Sequence, residues 1–109
     1  MKMTNNIALG VGLGRLQEAS SFYQSEMGMK LGETSKNWIE LKAGDFNLYL
    51  VDDDHGTPTF EVLVPNVDEA MDRLIASGCE ETILDGSPKE RFVKTPFGQF
   101  FCVSPLAEN

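Results

Sequence analysis

Few residues of this chain can do chemistry, and they are scattered. His55 is the only histidine. It follows Asp52, Asp53 and Asp54 in a turn-rich stretch and reads as a solvated turn residue. A Ser-His-Asp or Cys-His arrangement would have to use it, so neither is legible. Cys79 and Cys102 form no CxxC or zinc-type spacing and read as two reduced, buried thiols. Gly10-Val11-Gly12-Leu13-Gly14 lacks the G-x-G-x-x-G spacing and lies inside a strand pattern, so no nucleotide cofactor follows from it. What remains is a set of aromatics and carboxylates: Trp38, Glu40, Tyr49, Glu61, Phe92 and Phe100. Aromatic faces beside a few carboxylates suit an aromatic or cationic organic ligand.

These residues need a scaffold, and the chain writes one twice. Ile7–Leu13 alternates large and small residues as a strand, with Ile7, Leu9, Val11 and Leu13 on one face and Ala8, Gly10 and Gly12 on the other. Leu16, Ala19, Phe22, Tyr23 and Met27 follow at helical spacing, and Gly28 is placed to end that helix. Strands are expected at Met29–Thr34, Asn37–Lys42 and Asp45–Val51. The stretch 52–58 is polar and reads as a linker. Thr59–Val64 then opens the same series again. A helix over Val67–Ser77 is capped by Asn66 with Glu69 three residues on. Strands follow at about Cys79–Leu84, Glu90–Thr95 and Gln99–Ser104, and the tail Pro105–Asn109 reads as frayed. The two halves align at an offset of roughly 50–54 residues. The fold class is therefore α+β: two tandem βαβββ modules forming a curved mixed sheet around a cleft. Residues 1–109 read as one domain, with module one at about 7–51 and module two at about 59–104.

Alternation selects the residues that line the cleft. In the first half these are Trp38, Glu40, Asn47, Tyr49 and Val51, with Ala8, Gly10 and Gly12. In the second they are Thr59, Glu61, Leu63, Phe92, Lys94, Phe100 and Cys102. Trp38 and Phe92 read as matching positions, as do Glu40 and Lys94. Ile39, Leu41, Phe46, Leu48, Leu50, Val93, Phe101 and Val103 fall on the opposite faces, suited to packing under helices.

Seventeen acidic against nine basic residues give a net charge of −8. That charge opposes nucleic acid and anionic membrane surfaces as partners. No run of apolar residues is long enough for a membrane-spanning helix, and residues 1–6 lack a signal-peptide core. A cytoplasmic protein is expected.

The pattern resembles the vicinal-oxygen-chelate superfamily, which includes glyoxalase I, extradiol dioxygenases and the bleomycin and fosfomycin resistance proteins. The resemblance rests on Ser21-Phe22-Tyr23, the Met27-Gly28-Met29-Lys30-Leu31 helix exit, Val67-Asp68-Glu69-Ala70 and the Lys94-Thr95-Pro96-Phe97-Gly98 turn. That turn is similar to the family's D-P-x-G, with Thr95 where Asp is usual. The resemblance implies a homodimer. It also implies four equivalent metal-ligand positions, in the first and last strands of each half, which fall here on Ala8, Tyr49, Thr59 and Cys102. A register two residues further along would put Glu61 at the third. Hard divalent metals want several oxygen or imidazole ligands, and Ala8 supplies none. Neither metal nor cofactor is therefore expected.

The reading is a metal-independent small-molecule-binding protein of the glyoxalase/bleomycin-resistance type. Trp38, Tyr49, Phe92 and Phe100 supply apolar area, and Glu40 and Glu61 orient the ligand. One alternative is a glyoxalase-like lyase or isomerase, or a dioxygenase-type enzyme, using Glu61 with a metal. A second is a structural or interaction module with a vestigial pocket.

Overall fold

The computed structural model describes residues 1–54, 56–83 and 91–106. Inter-residue contacts group the chain into two compact units, Asn5–Pro58 and Thr59–Asn109, with Met1–Thr4 grouped with the second. Each unit is a βαβββ module.

Module one contains β1 (Lys2–Gly10), α1 (Leu16–Met27), β2 (Lys30–Thr34), β3 (Trp38–Ala43) and β4 (Phe46–Val51). Its strands run in the order β2-β3-β4-β1, with β1 parallel to β4 and the other pairs antiparallel. The expected first strand was displaced toward the C-terminus. It starts at Lys2 because backbone pairing needs no apolar alternation. It ends at Gly10 because the chain then turns. Gly12 and Gly14 take φ values of 101° and 75°, outside the extended region. The Gly12 N–H reaches the Asp53 carbonyl at 2.7 Å, and the Gly14 N–H reaches Asp52 Oδ1 at 2.9 Å. The acidic stretch read as a linker thus holds this turn, and Gly12 lies beyond the strand face on which the alternation placed it. Helix α1 matches its expected span, and Gly28 closes it at φ 71°, donating to the Tyr23 carbonyl.

Module two contains β5 (Thr59–Val64), α2 (Val67–Ala76), β6 (Glu80–Thr82), β7 (Arg91–Lys94) and β8 (Phe100–Pro105). Its strand order is β5-β8-β7-β6, with β5 parallel to β8. The Asn66 side chain accepts from the Glu69 N–H at 3.0 Å, which is half of the expected capping box. Pro105 is not frayed. It closes β8, and the Leu106 N–H continues the pairing onto the Val64 carbonyl at 2.9 Å. His55, Leu84, Glu90 and the tail residues 107–109 lie outside the described residues.

Each helix packs on one face of its own four strands. In module one Ile39, Leu41, Leu48 and Leu50 are buried beneath Leu16, Ala19 and Tyr23 of α1. In module two Val62, Val64, Val93 and Val103 are buried with Ala70 and Met71 of α2. Period-two alternation then sends the intervening residues to the face that the helix leaves uncovered.

Candidate functional site

The uncovered face of module one is built in rungs. Direct ladder pairing aligns Lys30, Lys42, Asn47 and Asn6 across all four strands. The next rung aligns Glu40, Tyr49 and Ala8, and the one beyond it Trp38, Val51 and Gly10. The Trp38 and Tyr49 rings meet edge to face, with centroids 5.6 Å apart and planes at 63°. Both are half-buried.

Glu40 is the centre of this face and only 4% exposed. Its Oε1 accepts the Glu33 N–H at 3.1 Å. Its Oε2 accepts the Lys42 ammonium and the Tyr49 hydroxyl, each at 3.1 Å. The Glu33 N–H, the Lys42 ammonium and the Tyr49 hydroxyl together hold the carboxyl below its ordinary 4.5 against the opposing effect of burial. Glu40 is therefore ionised at neutral pH and already carries a cation. Its ion pair is one-sided in exposure, with the Lys42 side chain 53% accessible and the Glu40 side chain 6%. Beside it, a Cβ on Gly32 would lie 2.5 Å from Oε1 and 3.2 Å from the Glu40 carbonyl. Glycine at 32 is what lets the carboxylate lie flat against β2.

On the uncovered face of module two, the ladder aligns Glu80, Lys94, Phe100 and Thr59 in one rung and Thr82, Phe92, Cys102 and Glu61 in the next. Ser104 Oγ donates to Glu61 Oε2 at 3.3 Å and lies 3.3 Å from Cys102 Sγ. With the hydroxyl proton on Glu61, the thiol is the donor of the second contact. The Lys94 ammonium stands 5.9 Å from the centroid of its ladder neighbour Phe100. Phe92, Cys102 and Thr59 are buried, and Glu61 and Phe100 are half-buried.

The six candidate ligand-binding residues thus fall into two groups of three: Trp38, Glu40 and Tyr49 on module one, and Glu61, Phe92 and Phe100 on module two. The ladders correct the expected equivalences. Ala8 pairs with Tyr49 and Glu61 pairs with Cys102, so a first-strand residue meets the same relative position of the last strand in both modules. If Tyr49 corresponds to Cys102, Ala8 corresponds to Glu61 and not to Thr59. By the same rule Glu40 corresponds to Phe92, because each pairs with that last-strand residue. The Trp38–Phe92 and Glu40–Lys94 matches were therefore two residues out of step. Glu61, and not Thr59, thus stands opposite Cys102.

Sequence reading missed Lys42, Lys30, Ser104 and Gly32. Lys42 and Ser104 were within reach, each two residues from a residue already assigned to the face. Lys30 and Gly32 needed the β2–β3 register, which is interrupted by an irregularity between Leu31 and Thr34. A cavity of about 490 Å³ does exist in module one, but on the helix side, between the end of β1 and α1. Leu9, Val11, Phe22 and Tyr23 line it with Arg15 and Glu18, and none of the six candidates does.

No family model and no curated relative matches the chain. Solved structures do. A glyoxalase/bleomycin resistance protein/dioxygenase superfamily member from Vibrio splendidus aligns with a TM-score of 0.66 at 15% identity, covering 96% of this chain and all of that one. A structure described as an NAD-dependent benzaldehyde dehydrogenase from Legionella pneumophila aligns at 0.69 and 14% identity, covering 95% and 100%. A variant of homoprotocatechuate 2,3-dioxygenase from B. fuscum aligns at 0.65 and 21%, covering 99% of this chain but 33% of that one. The chain has the fold of the glyoxalase/bleomycin resistance/dioxygenase superfamily. At these identities the likeness extends to the fold alone, and the named activities differ among themselves.

Proposed function

We propose that this protein binds a small organic molecule carrying an aromatic group, without a metal. The observation that carries the reading is the Trp38–Tyr49 pair with its Glu40 anchor. It is a preformed aromatic corner, half-buried, on a sheet face that its own helix does not cover. A ring held by side chains that are already fixed loses little further freedom on receiving a ligand, so more of the contact energy appears as affinity. Ala8 and Gly10 beside it add almost no side-chain bulk, so a ligand can approach the backbone of β1. Phe100 and Glu61 are the half-buried aromatic and carboxylate on module two's own uncovered face.

The donor set supports the metal-free part of this reading. Of the four positions that the superfamily uses for metal, Ala8 has no donor atom, and the Tyr49 hydroxyl already donates to Glu40. Among the described residues no three His, Cys, Asp or Glu side chains converge. Also among the described residues, no helix is long and apolar enough to cross a membrane. The expected homodimer and cytoplasmic residence belong to the same proposal.

One observation favours the enzyme reading: Glu61, and not Thr59, faces Cys102 across β5–β8, and it accepts a hydroxyl proton. A carboxylate at that position is a candidate base.

Trp38 is the only tryptophan, so tryptophan emission, excited selectively, reports on this face. The test is a titration of aromatic compounds read by Trp38 emission, together with the elemental content of protein purified without chelators. Saturable quenching that is lost in Tyr49→Phe, with only background metal, is the expected result. A stoichiometric divalent metal, with turnover abolished in Glu61→Gln, would replace the binding reading with the enzyme one.

A further inference from the structure

The rung at one end of the module-one face is cationic in a strongly acidic chain. Lys30 and Lys42 are direct cross-strand neighbours on β2 and β3, and Asn47 and Asn6 complete the rung. Like charges placed opposite one another destabilise a sheet. Lys42 is partly compensated by Glu40. Among the described residues Lys30 takes part in no ion pair. The Asn47 amide donates to Asn6 Oδ1 at 3.0 Å, which fixes its orientation on the rung that Lys30 and Lys42 share.

The aromatic and cationic ends are close. Successive rungs on one face are two residues apart, about 7 Å along a strand. Lys42 lies two rungs from Trp38, but its ammonium bends back to Glu40 Oε2, one rung away from the indole. Glu40, by holding both the ammonium and the Tyr49 hydroxyl, sets the spacing between charge and ring.

We infer that the ligand of this face is an aromatic anion, with its ring against Trp38 and a carboxylate or phosphate received by Lys42 and Lys30. This rests on the small-molecule reading above and reverses the cationic preference expected from the sequence, because Glu40 is already engaged by a cation of the protein. The chain's net negative charge repels an anion at a distance, but that field is screened beyond about 8–10 Å at ordinary salt, whereas an ammonium in contact with the ligand is screened much less.

Three probes of one length separate the possibilities: phenylbutyrate, phenylbutyramide and phenylbutylamine, titrated against Trp38 emission. Hydrogen bonds to charged partners predict a carboxylate advantage of about tenfold over the amide, with the amine weaker still. That advantage shrinks in Lys30→Gln, an exposed position where substitution costs the fold little, and vanishes when Lys42→Gln is added, while amide binding persists. Equal binding of acid and amide, a preference for the amine, or an advantage that survives the double substitution overturns the anion inference and leaves the small-molecule reading standing. If none of the three perturbs Trp38, both fall.

Discussion

The two modules share a ladder and differ in where they put their charge. In module one the carboxylate sits on the third strand: Glu40 faces Tyr49, and the first strand contributes only Ala8 to that rung. In module two the third strand gives apolar Phe92, and the carboxylate moves to the first strand as Glu61, across from Cys102. The helix-covered faces differ in the opposite sense. Where module one buries Ile39 opposite Leu50's neighbourhood in an all-apolar layer, module two places Arg91 opposite Val103 and pairs it with Glu81 and Asp68. A duplicated backbone thus fixes register and leaves each rung free to carry different chemistry. The carboxylate of module one is held by three donors, whereas Glu61 of module two accepts from the Ser104 hydroxyl.

The lock can be broken most severely at Gly32. A Cβ there cannot be accommodated by a simple swing of Glu40, because Oε1 is held by the Glu33 N–H and the Glu40 carbonyl stands 3.2 Å away. Gly32→Ala is expected to cost about 2 kcal/mol, in the range of overpacked sites, and to shift Trp38 emission as Tyr49 loses its anchor. The residue beside Phe92 in the matching rung is Thr82, half-buried. Thr82→Ala is expected to change stability by less than about 1 kcal/mol. Denaturant unfolding of both variants checks the contrast, and equal costs would mean that the Glu40 network does not distinguish the modules.

A smaller effect separates the modules by pH. A carboxyl held below its ordinary value contributes stability that is present above the unfolded value and is lost as pH falls through the folded one. For Glu40 that window opens below 4.5. Glu81, lowered by its hydrogen bonds to Arg91, loses stability in the same direction. Its side chain is 41% accessible and its pair is screened, so its share is smaller. Glu40→Gln is expected to be less stable than the parent at neutral pH and to lose less on acidification below 4.5. Glu81→Gln is expected to leave the acid limb nearly unchanged. Thermal midpoints followed from neutral pH down through the carboxylate range measure both.

How far the sequence disclosed this arrangement depends on which periodicity carried the information. The helix over Leu16–Met27 was fully legible, because apolar spacing and Gly28 marked both its body and its end. Face assignments were legible too, since period-two alternation needs only a parity. Registers were not. Parity cannot distinguish Thr59 from Glu61 or Trp38 from Glu40, and only backbone pairing shows which residue meets Cys102 or Tyr49. The site inherits that limit. Residue types are visible in the sequence, and Lys42 lies on the same strand face two residues from Glu40, but the approach of the Glu33 N–H depends on pairing across strands.

The least costly way to sharpen the comparison is to give module two the interior of module one. Arg91 bridges Glu81 on β6 and Asp68 on α2, with N–O distances of 3.0 and 2.7 Å. Its side chain is 35% accessible, and Asp68 is 89% accessible. Partly exposed ion pairs contribute little after desolvation and side-chain ordering are counted, and apolar replacements of paired charges are often neutral or favourable. Arg91→Ile, supplying the residue type that module one has at Ile39, is therefore expected to change stability by no more than about 1 kcal/mol in either direction. Glu40→Leu, which removes the carboxylate from the uncovered face of module one, takes away the acceptor shared by the Lys42 ammonium and the Tyr49 hydroxyl and is expected to be clearly destabilising. Unfolding midpoints of the pair decide the matter: an Arg91→Ile loss as large as that of Glu40→Leu would mean that the charges of both modules hold the fold. The expected asymmetry would assign that role to Glu40, and leave Arg91 as a surface clasp on a helix that its apolar contacts already secure.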